Sequence, residues 1–336
     1  MKTNLFNSLQ AAPFVVALLA FVAASARADV EDKVTRSYQV RPGEQLVVEI
    51  DRGSIEIKTA DTDSVEIEVA RKAGGSQSKA EKILKDHVVT TTQSDNKVEV
   101  RAEFKGDKSS GWFRQSPELQ VQCRVTVPRK FDVNLKTAGG SIKVAELTGK
   151  VQAHTSGGSM KFEKIEGPVS ARTSGGSITV EAAKGQVDVK TSGGGLTLND
   201  IEGDVDAETS GGSIHVEKLT GKSVVKTSGG SIQVADIQGP IEARTSGGSI
   251  NANLRGQPAG DCTFKTSGGS VTINLGENVA VDVDAHTSAG RVSTDFPVVS
   301  VIQGEQKKNE LRGKINGGGP LITAHTSGGS VRLQKR

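Results

Sequence analysis

The hexapeptide TSGGSI occurs at Thr173, Thr209, Thr227 and Thr245. Near-copies begin at Thr137 (TAGGSI), Thr155 (TSGGSM), Thr191 (TSGGGL), Thr266 (TSGGSV), Thr287 (TSAGRV) and Thr326 (TSGGSV). From Thr137 to Thr245 every step is 18 residues; the later steps are 21, 21 and 39. A unit this short cannot enclose a core by itself. A fixed period near 20 residues therefore points to a solenoid in which each repeat is one coil.

Within a coil two strand patterns alternate apolar with polar residues, as half-buried strands do. Val169, Ala171 and Thr173 share one face, and Ile178 and Val180 share another. The parity switches across Ser174-Gly175-Gly176, so TSGG is expected to be a corner whose paired glycines supply a positive φ. A second corner follows at Leu147-Thr148-Gly149, Ile165-Glu166-Gly167, Ile201-Glu202-Gly203, Leu219-Thr220-Gly221 and Ile237-Gln238-Gly239. One coil thus has two strands and a brief third side. The repeated Thr shares the parity of the inward residues. A degenerate coil, LVVEIDRGSIEI from Leu46 to Ile57, has Ile50 in the same slot, which fits a buried position. The Thr column reads as an inward ladder with each hydroxyl bonded to turn backbone.

The regular region begins at Thr137. Residues 29 to about 136 form a β-rich N-terminal section with alternating runs SVEIEVA and KVEVRAEF, and one helix in SQSKAEKILKDH from Ser76, its N-cap. That section is expected to cover one end of the solenoid, because an open coil edge would pair with another chain. Residues 137–336 are the solenoid, with an insertion at about 297–320 inside the 39-residue step.

Residues 1–28 carry Lys2, an apolar run from Ala11 to Ala24 and the small residues Ala26 and Ala28. This is the pattern of a secretory signal peptide, predicting a mature chain that starts at Asp29. The run is shorter than the ~18 residues a membrane span needs; an uncleaved anchor is the alternative. Without residues 1–28 the chain has 40 basic and 39 acidic residues, a net charge of +1. Attraction to nucleic acid through global charge is therefore not expected, and any anion binding must come from local patterning. An exported chain with two cysteines invites a disulfide, but Cys123 alternates with Val121 and Val125, and Cys262 with Phe264. Both read as buried free thiols, seven coils and roughly 34 Å apart at one strand spacing per coil, where a bond needs Cα atoms within about 7 Å.

The opening Gly43, Leu46 and Gly53 to Ile57, the strand Val125 to Pro128, the TSGG coils and the closing GGGP with TSGGSV together resemble bacterial envelope proteins known as "putative adhesins". These carry a β-strand-repeat domain of unknown function. The resemblance covers most of the mature chain and implies a β-solenoid outside the cytoplasm. It supplies no catalytic residues.

The residue before each repeated Thr points outward: Lys136, His154, Arg172, Lys190, Glu208, Lys226, Arg244, Lys265, His286 and His325. Nine of these ten are cations or titratable to cations, along roughly 45 Å of solenoid. A linear anionic polymer such as lipopolysaccharide or an acidic polysaccharide would fit such a stripe. The competing reading is a salt-bridge ladder, since Asp188, Asp206, Glu242 and Asp284 occupy the next outward column. The three stripe histidines lack the spacing of a metal site. A polysaccharide-degrading solenoid would need a unique acid or base cluster and aromatic platforms, and from Thr137 onward there is no Trp or Tyr. The TSGG glycines lack the helix and Gly-Lys-Ser/Thr of a phosphate loop. Trp112 and Phe113 form an exposed-looking aromatic pair, readable as a partner or membrane contact or as a lid on the solenoid end.

The expectation is a right-handed parallel β-solenoid, exported to periplasm, surface or medium, with no cofactor, metal or catalytic residue. It would serve as an adhesin-like binding or structural protein, its partner an anionic envelope polymer or another copy meeting it at the solenoid ends. The alternatives are a carbohydrate-active β-helix lyase or hydrolase, or a self-associating envelope scaffold.

Overall fold

A computed structural model of the protein describes residues 29–105, 118–300 and 307–336. The proposed signal peptide and the Trp112-Phe113 pair lie outside these described residues.

Two long sheets face each other across a thin core, with 15 strands in each. Each coil contributes one strand to one sheet, turns at TSGG, and contributes the next strand to the other. Ala153–Thr155 and Met160–Phe162 belong to one coil; Ala171–Thr173 and Ile178–Val180 belong to the next. Neighbouring coils run parallel and in register, so Val151 meets Val169 and Met160 meets Ile178. A one-residue slip would turn every inward Val and Ile to solvent, which pins the register. The brief third side is present. Ile165-Glu166 pairs with Ala183-Lys184, which pairs in turn with Ile201-Glu202. Its apolar residues Leu147, Ile165, Ala183, Ile201, Leu219 and Ile237 are buried. The core is thus a stack of Val, Ile, Leu and Ala layers, thickened by Phe131, Phe162 and Phe264. Each such side chain withdrawn from water contributes about 1.5–3 kcal/mol before ordering entropy is charged against it.

The Thr column is buried and inward. Thr173 Oγ1 donates to Gly158 O of the preceding coil at 2.9 Å and accepts from Gly176 N of its own corner at 3.4 Å. The same pair of bonds recurs at Thr155, Thr191, Thr209, Thr227, Thr245 and Thr266. Ile50 lies level with Thr137 and fills the slot with carbon instead.

The expected reason for the paired glycines is corrected. The positive-φ glycines of the regular coils stand at the second corner, at Gly149, Gly167, Gly185 and Gly203, with φ of 136–152°. No TSGG glycine is among them. What the TSGG corner needs is closeness. A Cβ on Gly176 would lie 2.0 Å from Gly158 O and 2.3 Å from its carbonyl carbon, because the corner of each coil rests directly on the one below.

The order of the coils is also corrected. Strand Leu321–Thr326 inserts between Cys262–Thr266 and Val281–Thr287, and Val331–Lys335 inserts between Val271–Leu275 and Val292–Thr294. The 39-residue step is therefore not one enlarged coil. After the Thr287 coil the chain leaves as an antiparallel pair, Val298–Ser300 with Glu310–Ile315, then returns to fill the gap it left. A similar skip occurs at the other end. The coil Gln45–Ala60 is flanked by Asp132–Ala145 on one side and by Lys97–Phe104 with Leu119–Pro128 on the other. Equal spacing in sequence shows that coils exist, but stacking order depends on which edges are still open when a strand arrives.

The ends are closed by antiparallel strands. Ser64–Ala73 and Val30–Gln39 extend one sheet, and His87–Ser94 extends the other. Helix Gln77–Asp86 buries Ala80 and Ile83 against them; Ser76 is its N-cap residue, without a side-chain capping bond. Cys123 and Cys262 are free and buried. With the corrected stacking they are nine coil spacings apart, about 43 Å, and sit on different sheets.

Candidate functional site

The strand residue before each Thr is turned outward by the two-residue alternation, and in-register pairing brings these residues into one column. Its order in space is Lys136, His154, Arg172, Lys190, Glu208, Lys226, Arg244, Lys265, His325, His286. All the proposed stripe residues are therefore brought together, but the last two are exchanged relative to the sequence. The column is also longer than TSGG spacing reveals. Arg101 and Glu49 precede Lys136, and Glu310 follows His286. Arg101 was hidden because Ala102, not Thr, fills the slot beside it.

The middle of the column is an ion-pair ladder. Arg172 reaches Asp188 at 2.9 Å, and Lys190 reaches Asp206 at 3.4 Å and Glu208 at 3.3 Å. Burial disfavours the Lys190 charge, but Glu208, Asp206 and Asp188 outweigh it and hold its pKa above the ordinary lysine value. Glu242 takes Arg244 at 2.7 Å and Lys226 at 3.7 Å. Exposed pairs of this kind contribute about 0–1 kcal/mol each, so the ladder neutralises charge more than it stabilises the fold. Among the described residues Lys136, His154 and Lys265 make no ion pair.

A groove of about 600 Å³ runs along the TSGG edge of the column. Lys226, Arg244, Lys265, His325 and His286 line one side, and the corner serines Ser228, Ser246, Ser267, Ser327 and Ser288 line the other. A row of cationic or titratable groups therefore faces a row of hydroxyls, each repeating at the strand spacing of ~4.8 Å. A smaller hollow of about 270 Å³ continues the same edge at Arg101, Lys136 and His154. A larger cavity, about 960 Å³, lies elsewhere, between Asp32, Arg71, Lys72 and Gln120. Size alone would favour it, but three of the cations around it are committed: Arg71 to Asp32, Lys72 to Asp29 and Glu31, Lys33 to Glu68. The groove, which keeps an unpaired lysine, is the better candidate.

Sequence reasoning also missed a buried polar pair. His87 is fully buried, and its Nε2 lies 3.3 Å from Asp51 Oδ1. Burial would raise the Asp51 pKa, but the hydrogen bonds from His87 and the Phe104 amide bring it below the usual value. Asp51 follows Ile50 at the corner of the degenerate coil, so this pair ties the end strand His87–Ser94 to the stack. Among the described residues no group of three or more His, Cys, Asp or Glu side chains could hold a metal ion.

The family model Toastrack DUF4097 matches residues 44–334. The chain belongs to the Toastrack DUF4097 family. The match spans both capped ends as well as the TSGG coils. No curated protein matches the chain. Among solved structures it is similar to a "putative lipid binding protein" from Parabacteroides distasonis, with 13% identity, 91% of this chain and 97% of that one covered, and a TM-score of 0.41. A "putative adhesin" from the same species gives 11% identity, the same coverage and a TM-score of 0.38. One from Bacteroides fragilis gives 14%, again 91% and 97%, and 0.31. No helix among the described residues of this Toastrack chain is long and apolar enough to cross a membrane.

Proposed function

We propose that this Toastrack protein is a non-enzymatic, exported binding solenoid of the cell envelope that holds a linear anionic polymer along its TSGG groove. The observation that carries the reading is Lys265. It is flanked by Arg244 and His325 on adjacent coils, has serine hydroxyls across the groove, and makes no ion pair among the described residues. A repeating ligand with one negative charge per sugar can meet successive coils without a unique pocket. The same repetition argues against catalysis in the groove, because an enzyme needs one acid or base set apart, whereas the carboxylates along this edge recur in columns. Export is supported by the sequence of residues 1–28.

The test is retention of purified residues 29–336 on polygalacturonate and dextran sulfate, with neutral dextran as control. Binding is expected to weaken with salt, since exposed charges are screened beyond ~8 Å at physiological ionic strength. It should be lost in K226E/R244E/K265E with an unchanged far-UV spectrum. Absence of binding, or equal binding to neutral dextran, would overturn the reading. Fractionation of the native cell should place the protein outside the cytoplasm with Asp29 as its first residue.

A further inference from the structure

The groove ends on two histidines that neither the fold nor the ion-pair ladder requires. His325 and His286 are paired across adjacent coils, with ring centroids 6.1 Å apart and planes at 86°. His325 Nε2 is buried without a hydrogen-bond partner and lies 3.6 Å from Asp284 Oδ1. Among the described residues the pair has these charged neighbours. Lys265 flanks His325 on one side. Asp284 lies on the His286 strand, and Glu310 pairs with His286 from the antiparallel strand. Arg312 Nε holds both Asp284 and Glu310, each at 3.2 Å. Asp284 is thus already engaged by a guanidinium and is a weak partner for an imidazolium.

The groove lining itself carries Lys226, Arg244 and Lys265 with Glu208. Glu242 stands beside it on Arg244 and Lys226, and Asp284 and Glu310 stand beside it on Arg312. His286 and His325 add two imidazoles to that lining, and histidine is the side-chain type whose charge changes in the mildly acidic range.

We propose that the groove is a proton-gated anion site, with His286 and His325 as the gate: it holds an anionic polymer weakly at neutral pH and tightly when mildly acidified. The proposal rests on the anion-binding reading above and adds its regulation. Two imidazolium ions beside Lys265 repel one another. A sulfate or carboxylate lying across the three cations removes that repulsion. Proton uptake and anion binding then favour each other by the same free energy, as linkage requires. A polymer would be captured in acid surroundings and released on neutralisation.

The experiment measures affinity of residues 29–336 for dextran sulfate, whose charge is constant over the range, at fixed ionic strength from pH 8.0 to 5.5. The wild type is expected to gain about tenfold or more, because each linked proton changes affinity by up to a factor of ten per pH unit. In H286Q/H325Q the ratio of the affinities at pH 5.5 and pH 8.0 should fall toward one, whatever its affinity at pH 8.0. H215Q, on a strand of the other sheet, should keep the gain. Calorimetry in buffers of different ionisation enthalpy should show proton uptake on binding by the wild type and not by the double variant. A wild-type affinity that is the same at both pH values, or a double variant that keeps the gain, overturns the gate while leaving the anion site standing. No binding by the wild type at any pH overturns both.

Discussion

The stacked glycine corner yields a sharp contrast between adjacent residues. Gly175 and Gly176 are neighbours in one TSGG motif, and neither has φ in the left-handed region. A Cβ on Gly175 would have Gly157 O as its nearest atom at 3.5 Å, an ordinary contact. A Cβ on Gly176 would have Gly158 O at 2.0 Å, its carbon at 2.3 Å and Ser159 N at 2.6 Å, all backbone. Relief requires the coils to separate by more than 1 Å from a spacing of ~4.8 Å. That movement stretches the Thr173 bond to Gly158 O, now 2.9 Å, and opposes the Thr191 bond to Gly176 O, now 2.8 Å. Two buried hydrogen bonds at about 1 kcal/mol each, plus about 1–3 kcal/mol for overpacking, give roughly 3–5 kcal/mol for Gly176→Ala. Gly175→Ala meets no such contact and should lie between neutral and ~1 kcal/mol stabilising, through a less flexible unfolded chain. At about 2–4 °C per kcal/mol for a chain of this size, the two variants should melt roughly 6–24 °C apart, measured by circular dichroism at 218 nm. Equal melting temperatures, or a larger loss for Gly175→Ala, would refute the stacking argument.

Thr209→Val keeps the shape of the ladder residue but removes the hydroxyl that donates to Gly194 O at 2.8 Å; the orphaned carbonyl should cost about 1–3 kcal/mol in urea denaturation. Deleting residues 321–336 removes the coil between Thr266 and Thr287, so hydrogen exchange should become fast across 281–294 while 151–244 stays protected. Burial pushes the Cys123 thiol up to about 12 and Cys262 to about 11, so both are protonated at pH 8; a thiol reagent should label neither in the native protein and both in denaturant. Asp51 has a folded pKa below its unfolded value, so its contribution to stability is present above the unfolded pKa of about 4 and is lost as pH falls through the folded value. Asp51→Asn should therefore lower the melting temperature at pH 7, and its difference from the wild type should shrink as the pH is lowered through the folded value.

The sequence by itself determined the coil. Parity within VSART and SITV assigned inward and outward faces, the 18-residue period put equivalent residues in columns, and Ile50 in the Thr slot marked that slot as buried. These features are local, and local alternation and turn chemistry act within one repeat, so one chain is enough to read them. The outward column before each Thr was legible for the same reason, and so were its nine cationic or titratable members.

Tertiary structure decided everything that depends on which coil lies beside which. The need for glycine at Gly176 comes from Gly158, 18 residues away, and not from its own backbone angle. Whether a stripe lysine is free or paired depends on acids one coil over: Asp206 neutralises Lys190, while Lys265 is left open. The contact between His286 and His325 exists because the last strands of the chain enter the stack one position early. A period in sequence repeats the coil but carries no record of the order in which coils close each other's edges, and in this molecule that order is what turns a column of charges into a groove.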